Sequence, residues 1–180
     1  MHGRGVSPSR SRAEIPWAVL IEHGPTRERY AERTFRRGPT QCWYWTGAIS
    51  SSGHGKLRAG RSPDSEVVSA HEYGYGIEFG LEVLISTVVI RHKCDSPSCQ
   101  NPAHWLSGTR QDNVLDYVSR SRIAGHALAD TRGPAGRARA IRDAIKAAAP
   151  EDVEAAIQKA IMAGQPGGAW QDELFSDELL

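Results

Sequence analysis

The 180 residues carry 22 Lys and Arg against 21 Asp and Glu, a net charge of +1, with 39% hydrophobic residues and a mean hydropathy of −0.46. These values fit one soluble domain with appended tails. They exclude a chain disordered throughout, and no apolar run nears the roughly 20 residues of a membrane span, so no membrane partner is expected.

Residues 1–12 lack the apolar centre of a secretory signal, so a cytoplasmic protein is expected. In that setting Cys42, Cys94 and Cys99 are expected to be reduced or metal-bound, since three cannot all pair. The net charge hides an alternation: residues 1–62 sum to +7, 63–100 to −4, 101–142 to +4 and 143–180 to −6. Two basic blocks on a near-neutral chain fit either a polyanionic partner or a solvated surface.

In chain order, residues 1–13 predict a basic arm with little to bury. A short helix over 15–22 is broken by Gly24-Pro25, and 27–37 predict a second, basic helix. Residues 42–47, Cys-Trp-Tyr-Trp-Thr-Gly, read as an aromatic strand; 50–55 turn, 56–59 return as a hairpin strand and 66–68 add a third. Trp43, Tyr44 and Trp45 either pack a core or stack nucleobases. A helix over 70–79 ends at Gly80. The β-branched run 83–90 predicts a buried strand stopping at His92. After a turn-rich stretch, 104–107 form a returning strand. Thr109 then caps a helix over 110–122, with Val114, Tyr117 and Val118 as its apolar stripe. Residues 125–136 read as a linker and 137–149 as an Ala- and Arg-rich stretch. A further helix opens at Pro150-Glu151-Asp152 and ends near Gly164. The expected division is a basic arm with short helices (1–38), a central domain (39–123), and a linker with helical extension and acidic tail (124–180).

The chemistry concentrates in residues 91–106, Arg-His-Lys-Cys-Asp-Ser-Pro-Ser-Cys-Gln-Asn-Pro-Ala-His-Trp-Leu, followed by Gly108-Thr109 and Asp112-Asn113. This is a strand–loop–strand–helix unit with polar ligands converging on one spot. At neutral pH an ordinary imidazole is largely unprotonated, so His92 at the strand end can take a proton from water.

Taken in order, residues 42–47, Ala70-His71, the His-x-Cys-Asp-x-Pro-x-Cys-x-Asn-Pro-x-His run at 92–104, and Gly-Thr-x-x-Asp-Asn at 108–113 resemble the HNH endonucleases, the ββα-metal or His-Me finger nucleases. The likeness is to their small phage and prophage branch and covers about residues 40–122. It implies an α+β fold: a ββα-metal core with an N-terminal β-hairpin and a C-terminal helical extension. It also implies metal-dependent hydrolysis of phosphodiester bonds in double-stranded DNA, with His92 as general base and Asn113 ligating Mg²⁺ or Mn²⁺. His104 either orients His92 or joins Cys42, Cys94 and Cys99 in a structural Cys₃His Zn²⁺ site; the two roles compete. Many members carry Asp immediately before the catalytic His. Here Arg91 stands there and cannot ligate a metal, so a carboxylate would come from Asp95, Asp112 or Asp116. Arg91 itself, with Arg120, Arg122 and the basic 27–37 stretch, suits DNA phosphates. The alternative is a zinc-stabilised module without catalysis that binds DNA, or a protein through the helices over 134–164.

Overall fold

The computed structural model describes residues 12–63, 65–121, 123 and 125–165, and its fold mixes helix and strand in the α+β class. Of the predicted arm over 1–13, residues 1–11 lie outside the described residues, as do the acidic tail from 166 and Arg122, whereas Arg12–Glu14 form a 3₁₀ turn with Arg12 paired to Glu72. Helix α1 (Trp17–Glu22) buries Trp17 and Leu20. Helix α2 (Gly24–Glu32) begins at the Gly24-Pro25 pair that reads as a breaker. Proline suits a first helical turn, where no N–H partner is needed and its φ is already helical. α2 also stops earlier than the sequence predicts. Strand β1 (Thr34–Phe35) follows it and pairs antiparallel with β2 (Tyr44–Trp45).

Strands β3 (Ala48–Ile49), β4 (Gly55–Ala59) and β5 (Glu66–Ser69) form an antiparallel meander. Helix α3 (Ala70–Phe79) follows and ends at Gly80, whose φ of 92° favours a residue without a Cβ. There the predicted strand over 83–90 is corrected: residues Leu81–Ser86 form helix α4, and only Val89–His92 are strand β6. In α4 the apolar run buries Leu84 alone and leaves Val83 and Ile85 exposed, so it never acquires the two covered faces of a buried strand. β6 pairs antiparallel with β7 (Trp105–Gly108), and helix α5 (Arg110–Arg120) leaves β7 directly.

One core gathers Trp17 and Leu20 of α1, Tyr30 of α2, Trp45, Leu57, Val68, Tyr73, Leu84, Ile90 and Trp105. The N-terminal helices therefore belong to the same body as the strands. Trp45 is fully buried and donates its indole N–H to the Ala48 carbonyl (3.1 Å), so it packs the core and is not available for base stacking. Helices α6 (Gly133–Ala147) and α7 (Val153–Met162) form a hairpin that buries Ile141, Val153 and Ile157 against Tyr44. Full burial of each aliphatic side chain contributes about 1.5–3 kcal/mol. The C-terminal helices are thus seated on β2 and are not a detached extension.

Helix α5 differs from its expected packing. Val114, Tyr117 and Val118 are 58%, 56% and 65% exposed. The helix is held by its start instead: Thr109 Oγ1 accepts from Asp112 N (3.1 Å) and Asp112 accepts from Thr109 N (2.8 Å), a reciprocal capping box. Among the described residues no helix is long and apolar enough to cross a membrane.

Candidate metal centre and histidine pocket

The loop between β6 and β7 has few apolar residues to hold it, and its polar side chains fold inward. Cys94, Cys99 and His104 from this loop meet Cys42, which precedes β2. The three sulfurs and one imidazole nitrogen lie within 4.8 Å of one another. His104 Nδ1 is 3.7 Å from Cys42 Sγ and 3.5 Å from Cys99 Sγ. Its Nε2 lies 3.2 Å from the Thr40 carbonyl. A proton on Nε2 donated to that carbonyl fixes the tautomer with the Nδ1 lone pair toward the sulfurs. Asn101 N–H donates to Cys99 Sγ (3.4 Å), and the Asn101 amide donates to the Pro39 and Gln41 carbonyls, tying the loop to the Cys42 segment.

Hydrogen bonds from Cys94 and Cys99 hold the Cys42 thiol far down, to about 2, while the thiolate it becomes pushes Cys94 up to about 12 and Cys99 further still. Left alone, the cluster sustains one thiolate; a divalent cation is what lets all three ionise. Three sulfurs and one nitrogen at these separations could hold a metal ion such as zinc, which takes such sets tetrahedrally. Of the two competing roles for His104, the structure brings it together with the cysteines and not against His92.

His92 ends β6 on the buried face. Its Nε2 is 3.1 Å from the Cys99 carbonyl, and Trp105 Nε1 lies 3.3 Å from that carbonyl and 3.2 Å from Nε2. The tautomer with the proton on Nε2 satisfies both donors on one carbonyl and leaves Nδ1 to accept. His92 is not alone. The rings of His54 and His71 lie 4.9 Å apart, His71 and His92 5.1 Å, and His54 and His92 6.2 Å. Burial lowers all three, His92 to about 4 and His71 well below its ordinary value; His92 and His54 add to the effect at His71, His54 adds to it at His92, and the Lys56 ammonium adds to it at His54. All three are neutral at pH 7. His71 Nδ1 is buried with no hydrogen-bond partner among the described residues. The histidines line a hollow of about 380 Å³ together with Asp95, Asn113 and Tyr117.

The sequence singled out His92 and Asn113, which share this hollow, and noted His71 without a role. It missed His54. The signal was faint, one His in a Ser- and Gly-rich turn. Gly53 beside it has φ 87°, and a Cβ there would meet the Pro134 carbonyl and the Pro97 ring at 2.8 Å, so only glycine lets the turn press into this corner.

The charged candidates are placed differently from expectation. Arg91 and His92 are successive on a strand and face opposite ways. Arg91 pairs with Asp116 (2.8 Å), Asp116 with Arg120 (2.7 Å), and Arg120 with Asp95 (3.0 Å), which His126 also approaches at 3.2 Å. Arg91 and Arg120, expected at DNA phosphates, are thus each ion-paired within the fold. Asp112 is engaged by the capping box, its carboxyl lowered by the hydrogen bonds from Thr109, and it does not line the hollow. Asp95 does line it. Burial raises its carboxyl, with Arg120 and His126 opposing.

No family profile and no solved structure matches this chain. Two proteins of Escherichia phage T7 do. Protein 7.7 is 32% identical over 83 residues, covering 46% of this chain and 59% of that protein. Protein 2.8 is 33% identical over 105 residues, which is 58% of this chain and 68% of that protein. A shared stretch of that identity across two thirds of protein 2.8 means that the chain belongs to the family of phage T7 protein 2.8.

Proposed function

We propose that this protein is a metal-dependent endonuclease of the HNH type that hydrolyses phosphodiester bonds of double-stranded DNA, with β6, β7 and α5 as its ββα-metal core. One observation carries the reading: a buried neutral imidazole at the end of β6, His92, opens onto the same hollow as an amide side chain from α5, Asn113. The Cys₃His cluster braces the loop between them, so both are presented from a fixed hairpin–helix frame.

The donors fit a divalent ion in part. Asn113 supplies an amide oxygen and Asp95 a carboxylate at the hollow, with imidazoles beside them, a set better suited to Mn²⁺ than to Mg²⁺. Asn113 and Asp95 would hold such an ion, which would supply positive charge toward the phosphate and the departing oxygen. His92, with Nε2 bonded to the Cys99 carbonyl, is oriented to take a proton from water at Nδ1. Trp105 beneath it fixes the ring, and His71 and His54 add no charge to the wall of the hollow at pH 7.

The test is nicking of supercoiled plasmid with Mn²⁺, with Mg²⁺ and with EDTA. Asn113→Ala should raise the metal concentration for half-maximal nicking, and Asn113→Asp should lower it. An unchanged metal requirement in both variants refutes the assignment. A second reading, a zinc-stabilised DNA-binding module without catalysis, is favoured by the engagement of Asp112 and Asp116 elsewhere; binding without nicking under any metal would select it.

A further inference from the structure

We infer that the outward face of α6, together with Arg33 at the end of α2, is a track for the phosphate backbone of duplex DNA leading to the histidine hollow. The inference takes its ligand from the endonuclease reading, but its evidence lies elsewhere on the molecule. Arg139, Arg142 and Lys146 fall at i, i+3 and i+7 of α6 and so share one face. The helix cannot turn that face away, because Ile141 is locked under it against Tyr44 and Ile157 and Ala138 beside it is buried. Arg33, Arg142 and Lys146 converge on a hollow of about 580 Å³ floored by Thr46, Gly47 and Ala48.

Little inside the fold satisfies these charges. Arg33 and Lys146 are exposed and have no hydrogen-bond or ion-pair partner for their charged ends among the described residues. Arg142 is held only by its neighbour Asp143 (2.8 Å), the one acid on this helix. Arg139 reaches the Ser50 carbonyl at 3.4 Å, at the base of the turn that carries His54. The two hollows are joined by α6 itself: Pro134 at its start lines the histidine hollow, and Lys146 near its end lines the basic one. At about 1.5 Å per residue, Arg139 to Lys146 spans roughly 10 Å, the axial rise of about three phosphates on one strand. A row of cations over that length, leading to the histidine hollow, matches a backbone passing from grip to reaction centre. Cations set along a backbone meet phosphates, and phosphate contacts carry no sequence information directly.

The experiment is binding of the full chain to a short fluorescent DNA duplex without added Mg²⁺ or Mn²⁺, between about 50 and 200 mM salt. Each phosphate contact steepens the slope of log affinity on log salt by about 0.9, or roughly 3.5-fold in affinity over this range. Arg33→Gln/Arg142→Gln/Lys146→Gln should flatten the slope by about 2.7, and Arg33→Lys/Arg142→Lys/Lys146→Arg should restore it. Circular dichroism melts are the check that both variants fold. An unchanged slope in the Gln variant, equal loss in the charge-conserving variant, or no duplex binding by the wild type overturns the track. Nicking is scored separately: a wild type that nicks with an unchanged Gln slope loses only the track, and one that binds through these residues without nicking loses only the nuclease reading.

Discussion

Removing the ion from the Cys42–Cys94–Cys99–His104 cluster is expected to cost the folded state at least about 4 kcal/mol. Cys42 and Cys94 are 52 positions apart, and joining two points that far along an unfolded chain costs about 4 kcal/mol of loop entropy by the relation used for disulfides. An ion bound only by the folded chain returns at least that constraint, and its own affinity adds to it. For a domain of this size each kcal/mol moves the melting temperature by about 2–4 °C, so the fall is on the order of 8–16 °C. Outside the cluster the Cys99 sulfur has the Asn101 N–H and the His104 ring has the Thr40 carbonyl, neither of which replaces bonds to an ion. The assay has two arms. Elemental analysis of protein purified without chelator should give one zinc per chain, and melting after chelation under reductant should show the drop. Cys99→Ser should lose zinc and stability together. Metal-free protein with all three thiols freely titratable, or chelated protein that melts where the untreated protein does, would refute the reasoning.

Arg91→Asp should not tighten Mn²⁺ binding, because position 91 faces away from the hollow; it should destabilise by on the order of 1 kcal/mol as the Asp116 partner is lost and replaced by a like charge, read by thermal melting. Gly74→Ala should cost about 1–3 kcal/mol, since its Cβ would lie 2.0 Å from Tyr30 Oη and 2.7 Å from the Trp105 ring, whereas Gly24→Ala, with open space around it, should be near neutral. Stability should be constant above about pH 6.5 and fall as pH drops below it. The unfolded chain then takes up protons that buried His71 and His54 refuse, their folded values being depressed by burial. His71→Gln should flatten that limb of a melting-temperature profile, and a wild-type profile flat through the window would contradict the assignment.

The parts of the site legible in the sequence were those fixed by short-range chemistry. Thr109 and Asp112 three residues apart announce a helix start whatever lies around them, and α5 begins there. Cys94, Cys99 and His104 sit close enough in one loop to be recognised as ligands, and Cys42 joined them through the ordered motif. What tertiary packing decides was not legible. The run 83–90 has strand composition throughout, but the turn at Gly80 reopens a helix and leaves half the run in water. Asp112 and Asp116 look like free carboxylates until capping and the Arg91–Asp116–Arg120 chain claim them. His54 enters the pocket only because Gly53 lets its turn meet Pro134, a contact between residues some eighty positions apart.

The central claim is that His92 serves a hydrolytic centre, and plasmid nicking by wild type and His92→Ala, both checked for folding, tests it most directly. The account predicts metal-dependent nicking by the wild type, abolished by EDTA, and a rate lower by about 10²–10⁴ in the folded variant. A wild type that nicks with neither Mn²⁺ nor Mg²⁺, or a folded His92→Ala that nicks as fast as wild type, would contradict it.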